Sequence, residues 1–279
     1  MQGSILILPP RRRTMSHPMK KNLALVTGCT NGIGHHLARV LAFHGHDLVL
    51  VSPDQEEMEF LAIELGAIYG TRCHIIARDL EEESAATDVY DFLLQRGLEV
   101  DILANNAGHG YQAKFWAGDI ARDISMVNLN ICAVLRLTKL ILPLMLTRGS
   151  GHILNTASVA GCESAPMLAV YHATEAFLLS WSEALASELQ DTGVTVTALC
   201  SDAGDANFFM QDIVPFRKEH ALPPQEIAKA GYEGLMRGDL FVVPGTSNNP
   251  VSASRRTLPD LARASTHRAR QDHALAASS

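Results

Sequence analysis

Short apolar runs, rich in Leu, Ile and Val, alternate with longer segments of helical periodicity from residue 22 onward. The runs that predict strands are residues 23–26, 47–51, 74–77, 102–104, 152–156 and 194–199, with 240–243 as a possible last strand. The segments that predict helices are residues 34–43, 56–65, 83–95, 125–146 and 171–190. This order is typical of repeated βαβ units. It predicts a single α/β domain with a doubly wound parallel sheet between two helical layers, a three-layer α/β/α arrangement.

Composition narrows the classes of ligand and compartment. The chain has 279 residues, 47% of them hydrophobic, a net charge of -7 and a pI near 5.9. This acidic balance argues against nucleic acid or an anionic membrane as a partner, and no run is expected to reach the roughly 20 apolar residues of a membrane span. The five cysteines are scattered without metal-ligand spacing, which favours buried thiols in the cytoplasm and no metal site. We therefore expect a small-molecule ligand.

The two ends of the chain differ in composition from its centre. Residues 1–20 carry an apolar stretch before three arginines, the reverse of a signal peptide. They are expected to form a disordered extension or to precede a working start at Met15 or Met19. Residues 251–279 are polar and rich in Arg, Ala and Ser, as in a mobile tail. The predicted domain is residues 21–250.

A glycine cluster at residues 27–34 lies where the first predicted strand meets the first predicted helix. Gly28 permits a tight turn, Gly32 lets the backbone approach a pyrophosphate, and Gly34 allows the helix to pack closely on the strand. Unpaired N–H groups at the helix start then face the phosphates. The cluster predicts a Rossmann-type dinucleotide site formed by Gly28, Thr30, Asn31, Gly32, Ile33 and Gly34.

The spacing Gly-x-x-x-Gly-x-Gly resembles that of the short-chain dehydrogenase/reductase family, and further matching segments follow over residues 22–245. The resemblance implies that Asp79 and Leu80 contact the adenine. It implies that the Asn-Asn-Ala-Gly segment, with Asn105, Ala107 and Gly108, supports the sheet beside the nucleotide. NAD or NADP is the implied cofactor.

The same resemblance implies an active site. Asn128 matches a catalytic asparagine, Ser158 matches the serine that orients the substrate carbonyl, and Tyr171 matches the tyrosine that donates a proton as hydride arrives, while also bounding the cofactor site. The family lysine, which lowers the tyrosine pKa and binds the nicotinamide ribose, is replaced here by Glu175. An ionised carboxylate one helical turn from Tyr171 would raise the tyrosine pKa.

Glu175 leaves several outcomes open. The reaction is lost or altered, a weak activity is retained, or the carboxyl group serves a new acid/base role. A carboxylate can also accept hydrogen bonds from ribose hydroxyls, so nucleotide binding does not depend on the lysine.

A second departure lies in residues 201–207. Ser201 and Ala206 stand where relatives carry a proline and a threonine over the nicotinamide, and Asp202 and Asp205 add negative charge. A surface loop that varies without consequence is the alternative.

The choice of nicotinamide cofactor depends on the residues that close the second strand. Pro53 stands where many NADP-using relatives have an arginine, and Asn31 supplies no positive charge. Asp54 lies near the distance of a ribose-binding acid, although it is equally well read as a surface acid. NAD is therefore slightly favoured over NADP.

Three functions remain open from the sequence. The first is an oxidoreductase that acts on a ketone or secondary alcohol, with chemistry impaired or redirected by Glu175. The second is a nucleotide-binding pseudoenzyme, and the third is a lyase, isomerase or cyclase that uses Tyr171 and Glu175. The resemblance also implies a homodimer or homotetramer, and His109 and Tyr111 are open candidates for the substrate cleft.

Overall fold

Seven parallel strands form one sheet in the computed structural model, which describes residues 21–162, 166–201 and 222–245. The strand order is β3-β2-β1-β4-β5-β6-β7. The strands are β1 Leu23–Thr27, β2 Asp47–Ser52, β3 Cys73–Ala77, β4 Ile102–Asn105, β5 Gly151–Ser158, β6 Val194–Ser201 and β7 Phe241–Val242. The helices are α1 Gly32–Phe43, α2 Gln55–Tyr69, α3 Ala85–Gln95, α4 Ile120–Val127, α5 Val134–Arg148, α6 Ala169–Glu188 and α7 Pro224–Arg237. The predicted doubly wound fold is confirmed.

The two faces of the sheet carry separate apolar cores. Ala24 and Val26 of β1 pack with α1, α2 and α7 on one face. Leu23 and Leu25 pack with α3, α5 and α6 on the other face. Because successive strand residues point to opposite faces, a strand that is buried on both sides becomes continuously apolar. This property makes the strands easy to recognise in the sequence.

The helix predicted at residues 125–146 begins earlier and contains an irregular turn. It starts at Ile120, passes through a π-helical turn over Asn128–Ala133 and ends at Arg148. The whole run of 29 residues is long and apolar enough to cross a membrane by length and composition, so the expectation that no run reaches this length was wrong. Leu137, Ile141 and Met145 nevertheless pack in the core against the sheet.

Helix α7 was missed by the sequence prediction. Pro223 and Pro224 suggest a loop, and Gly231 and Gly234 lower helix propensity. In the structure Pro224 occupies the first turn, where the missing N–H has no cost. A Cβ on Gly231 would come within 2.7 Å of the Leu199 side chain, and one on Gly234 would overlap Val242. These glycines let α7 lie close against β6 and β7.

Candidate active site

A cleft of about 380 Å³ lies at the carboxyl ends of the central strands. Such a position beside β1 and β4 is the crevice in which doubly wound sheets bind ligands. Of the residues predicted to bind the nucleotide, the cleft is lined by Gly28, Thr30, Asn31, Gly32, Ile33, Asp79, Leu80, Asn105, Ala107, Gly108 and Tyr171. Gly34, which was also predicted to bind the nucleotide, is not among the described residues that line the cleft. The structure therefore brings together residues that are separated by up to 143 positions in the chain (171 minus 28).

The glycine loop leaves the start of α1 open toward the cleft. Helix α1 begins at Gly32, and the Asn31 side chain makes no capping hydrogen bond. The first-turn N–H groups therefore keep the partial positive charge that attracts phosphate. Gly28 has a φ of 63°, and a Cβ on it would lie 2.8 Å from Ala107 Cα. A Cβ on Gly34 would overlap the Gly28 carbonyl oxygen, so both glycines are needed for the loop to fold this tightly.

Asn106 connects the glycine loop to the segment after β4. Its Nδ2 donates to the carbonyl oxygens of Thr27 and Gly28 at 3.1 and 3.2 Å. Thr27 Oγ1 accepts hydrogen bonds from the backbone N–H groups of Asn106 and Ala107, both at 2.9 Å. Asn105 points elsewhere, because its Nδ2 donates to Asn155 Oδ1 at 2.9 Å and Thr138 Oγ1 at 3.2 Å. The Asn-Asn-Ala-Gly segment thus holds both the loop and the strand ends.

Ser158, Tyr171 and Glu175 form one buried polar group between β5 and α6. Ser158 ends β5, and Tyr171 and Glu175 lie one turn apart on α6. All three are at least 97% buried. The Ser158 hydroxyl accepts the Ala160 N–H at 3.1 Å and is hydrogen-bonded to the Tyr171 hydroxyl. The Glu175 carboxyl group accepts a hydrogen bond from the Ser158 backbone N–H.

Burial controls the protonation of this group. Removal from water raises the pKa of Glu175 to about 8, despite the opposing hydrogen bond from Ser158. Burial, and next the proximity of Glu175, raise the pKa of Tyr171 well above its usual value, while the Ser158 hydrogen bond lowers it. At neutral pH both groups therefore carry their protons. The sequence left both an ionised and a protonated Glu175 open, and burial favours the protonated form at neutral pH.

The asparagine that reaches the cleft from the π-helical turn is Asn130. Asn128, the residue favoured by the sequence, is not among the described residues that line the cleft. Asn130 is 98% buried, and its Oδ1 accepts the His109 N–H at 3.0 Å. Its Nδ2 donates to the His109 carbonyl oxygen at 3.0 Å and to Thr174 Oγ1 at 3.2 Å. The helix phase across the irregular turn, which the sequence does not show, places residue 130 inward.

His109 lines the cleft, whereas Tyr111 lies outside it. His109 Nε2 is 2.8 Å from Ser125 Oγ and 3.6 Å from Glu81 Oε1. Burial lowers the pKa of His109. The Arg122 guanidinium instead lies over the Tyr111 ring, 3.8 Å from the ring centre. The Tyr111 hydroxyl accepts the Asp119 N–H at 3.2 Å.

Sequence reasoning missed several residues of the cleft wall. These are Ser52, Arg78, Glu81, Asn106, Asn130, Thr156, Ala157 and Leu178. Arg78 directly precedes the predicted adenine contact Asp79, which was the one available signal. Of the altered segment 201–207, Ser201 lines the cleft, and residues 202–207 lie outside the described part of the chain.

The described residues fit a dinucleotide. The uncapped start of α1 and the close approach of Gly28 and Gly34 provide the phosphate cradle. The cleft then runs past Asp79 and Leu80 on one side and to Tyr171 and Glu175 on the other. Nucleotide and reacting groups therefore share one space.

Comparisons with known proteins agree with this arrangement. The short chain dehydrogenase family profile matches residues 22–212. The very-long-chain 3-oxoacyl-CoA reductase of Pyrenophora tritici-repentis is 33% identical over 251 residues, which cover 85% of this chain and 71% of the relative. That of Anas platyrhynchos is 36% identical over 182 residues, which cover 63% of this chain and only 57% of the relative.

A solved structure shows the same fold. The short-chain dehydrogenase from Sphingobium yanoikuyae in complex with NADPH has 28% sequence identity and a TM-score of 0.75, and the match covers 84% of this chain and 91% of that one. Family profile, relatives and structure coincide over the described domain. The chain belongs to the short-chain dehydrogenase family, whose members are NAD(P)-dependent oxidoreductases.

Proposed function

We propose that this protein binds NAD(P)H and reduces a ketone, with Tyr171 as the proton donor and with a turnover limited by Glu175. The observation that carries the proposal is the buried, hydrogen-bonded group of Ser158, Tyr171 and Glu175. Tyr171 and Glu175 line the nucleotide cleft, and Ser158 lies directly behind them as their hydrogen-bond partner. Asn130, not Asn128, is the asparagine that we assign to this site.

The dinucleotide would lie along Gly28, Asn31 and Gly32, with its nicotinamide end toward Tyr171. When bound, NAD(P)H supplies the hydride for the reduction. Ser158 would hold the substrate carbonyl oxygen, since its own hydroxyl is fixed by the Ala160 N–H and by Tyr171. Tyr171 would then donate its proton to the oxygen as negative charge develops there.

The raised pKa of Tyr171 favours one direction of the reaction. An alkoxide is a stronger base than a tyrosinate, so a protonated tyrosine can still protonate it. Oxidation of an alcohol needs an ionised tyrosine as base, and burial together with Glu175 suppresses that form at neutral pH. We therefore favour reduction over oxidation.

Glu175 takes the place of a cation beside the reacting groups. Its carboxyl group is fully buried and neutral below about pH 8, so it supplies no positive charge to lower the Tyr171 pKa. Proton donation remains possible but is slower than with a lysine. This is the physical basis for proposing a weak reductase.

The test compares the parent with Glu175→Lys and Glu175→Gln. Oxidation of NADH and of NADPH would be followed by absorbance. The substrates would be simple ketones, bulky ketones and 3-oxoacyl thioesters, the last because two of the relatives are 3-oxoacyl-CoA reductases. We expect a slow reductase whose rate rises on the order of a hundredfold in Glu175→Lys, as for a restored acid catalyst. Glu175→Gln, which also lacks a charge at neutral pH, should resemble the parent. A parent and a Glu175→Lys variant that both stay inactive across the panel would contradict the proposal.

A nucleotide-binding protein without turnover is the second candidate. It is favoured by the absence of a positive charge from position 175 and by the raised pKa of Tyr171. It predicts calorimetric binding of NAD(P)H to the parent with no oxidation of any substrate. Under this candidate Glu175→Lys would gain activity only if the rest of the site were intact. The rate of the parent therefore separates the candidates, because a weak reductase turns over and a protein that only binds nucleotide does not.

Assembly and location are further parts of the proposal. Phe177 and Trp181 stack on the half-buried side of α6, with ring centres 6.3 Å apart, which suits a contact between copies. We propose a homodimer or homotetramer in the cytoplasm. Light scattering of the purified protein should then give at least twice the mass of the 30.2 kDa chain.

A further inference from the structure

The end of the cleft beside β2 gathers hydroxyl groups and one cation. Thr30, Ser52, Pro53 and Arg78 all line it. Thr30 Oγ1 and Ser52 Oγ are 3.3 Å apart, so the two hydroxyls face each other across the loop. The Arg78 backbone N–H donates to the Ser52 carbonyl oxygen at 3.0 Å, which places residue 78 directly beside the end of β2.

Asp54, the acid that the sequence offered for the ribose hydroxyls, is used elsewhere. Its carboxylate caps α2 by accepting the Glu57 N–H at 3.1 Å. It is not among the described residues that line the cleft. The structure thus removes one of the three observations on which the slight preference for NAD depended, and the surface alternative for Asp54 applies.

Arg78 is the one Arg or Lys among the described residues of the cleft wall. Its Nε donates to Asp88 Oδ2 at 2.9 Å and its Nη1 to the Ala77 carbonyl oxygen at 2.8 Å. These bonds fix the guanidinium plane while engaging two of its five N–H groups. The remaining donors suit a planar, charge-assisted contact with phosphate.

Negative charges around Arg78 limit but do not cancel this attraction. Asp88 lies on the outer side, where both partners of the ion pair are at least 40% exposed and water screens them. Asp79 and Glu81 also line the cleft, but the Asp79 carboxylate turns back to accept the Glu81 N–H at 3.0 Å. Arg78 therefore remains a cation available to the cleft.

From this arrangement we propose that Arg78, together with the Thr30 and Ser52 hydroxyls, binds the 2′-phosphate of NADP(H), so that NADP(H) is preferred over NAD(H). The inference rests on the proposed nucleotide site and deepens it. It reverses the slight preference for NAD that residues 51–54 suggested. In this proposal Arg78, which follows β3, does what an arginine in the position of Pro53, after β2, does in NADP-using relatives.

The experiment measures binding and needs no turnover. Calorimetry would compare 2′,5′-ADP with 5′-AMP on the parent, on Arg78→Gln and on the control Arg237→Gln, whose ion pair with Asp239 is exposed and away from the cleft. We expect the parent to bind 2′,5′-ADP about ten- to a hundredfold more tightly than 5′-AMP, as one or two charge-assisted hydrogen bonds provide. Arg78→Gln should bring the two affinities close together without weakening 5′-AMP, and Arg237→Gln should behave like the parent.

Three results would overturn the inference. Equal affinities in the parent, or a 2′-phosphate preference that survives in Arg78→Gln, would show that Arg78 does not bind the phosphate while leaving the nucleotide site intact. Failure of the parent to bind either nucleotide would refute the inference and the proposed nucleotide site together. The first two results thus separate a failure of this inference from a failure of the proposed function.

Discussion

Asn130 Nδ2 donates a hydrogen bond to Thr174 Oγ1 at 3.2 Å and so joins the π-helical turn between α4 and α5 to the helix that carries Tyr171. Thr174 in turn donates to the Tyr171 carbonyl oxygen at 2.8 Å. The same Nδ2 also donates to the His109 carbonyl oxygen, and Oδ1 of Asn130 accepts the His109 N–H. One buried side chain therefore fixes the positions of two walls of the cleft.

Asn130→Ala should destabilise the protein by about 2 to 3 kcal/mol, because it removes the partners of both His109 backbone groups and one of the two hydrogen bonds of the Thr174 hydroxyl. The matched control is Asn128→Ala, two residues earlier on the same turn, which should change stability by about 0.5 kcal/mol or less. Urea unfolding followed by circular dichroism measures both. Equal losses in the two variants would show that Asn130 has no special role.

Glu175 should make stability fall as pH rises. The pKa of its carboxyl group is about 8 in the folded protein and 4.5 for the free group, so between these values the folded state holds a proton that the unfolded state has released. The stability that the folded protein gains by holding this proton is complete below about pH 4.5 and is lost as the pH rises through about 8. The slope approaches about 1.4 kcal/mol per pH unit between the two values.

Glu175→Gln should remove that slope while other groups keep theirs. Urea unfolding of both proteins at about pH 5.5, 6.5 and 7.5 would measure the difference. Parallel curves for parent and variant would mean that Glu175 ionises normally in the folded protein.

Gly34→Ala should disrupt the nucleotide loop, because the added methyl group would overlap the Gly28 carbonyl oxygen and the Asn106 amide. We expect at least a tenfold loss of NAD(P)H affinity, a free-energy change of about 1.4 kcal/mol or more. Gly66→Ala in α2 is the control, since its methyl group would lie an ordinary 3.5 Å from the Thr71 carbonyl oxygen. That change should leave affinity unaltered and stabilise the helix by up to about 1 kcal/mol. Nucleotide fluorescence titration checks the affinities, and unchanged binding in Gly34→Ala would contradict the structure of the loop.

Thr27→Val should weaken both stability and nucleotide binding, although valine has nearly the same shape. It removes the hydroxyl that accepts the Asn106 and Ala107 N–H groups, at an expected cost of about 2 kcal/mol or more. Thr27→Ser keeps the hydroxyl and should lose much less. Thermal unfolding with and without nucleotide would show whether the hydroxyl, and not the methyl group, carries the effect.

The strands and most helices could be predicted from the sequence because burial on both faces makes residues 23–26 of β1 and 48–51 of β2 continuously apolar. The glycine loop, Ser158, Tyr171 and Glu175 could be found because their spacing is local or matches a family pattern. Helix α7 could not, since Gly231 and Gly234 satisfy tertiary contacts with β6 and β7 at the expense of local helix propensity.

Two site residues depended on information that no local pattern contains. The choice of Asn130 over Asn128 follows from the π-helical turn, which shifts the face that each residue presents. The proximity of Arg78 to Ser52 follows from the pairing of β2 with β3, which are separated along the chain by α2. The charge state of Glu175 likewise depends on tertiary burial.

The hydroxyl of Thr27 joins the glycine loop to Asn106 and Ala107, which lie 79 and 80 positions further along the chain. The glycine loop cannot open locally without also releasing the backbone after β4, so the two should exchange their amide hydrogens as one cooperative unit. Bound nucleotide would then protect amide hydrogens that are bonded to Thr27 and not to the ligand. Hydrogen exchange at Asn106 and Ala107 would therefore report on whether the phosphate site is filled.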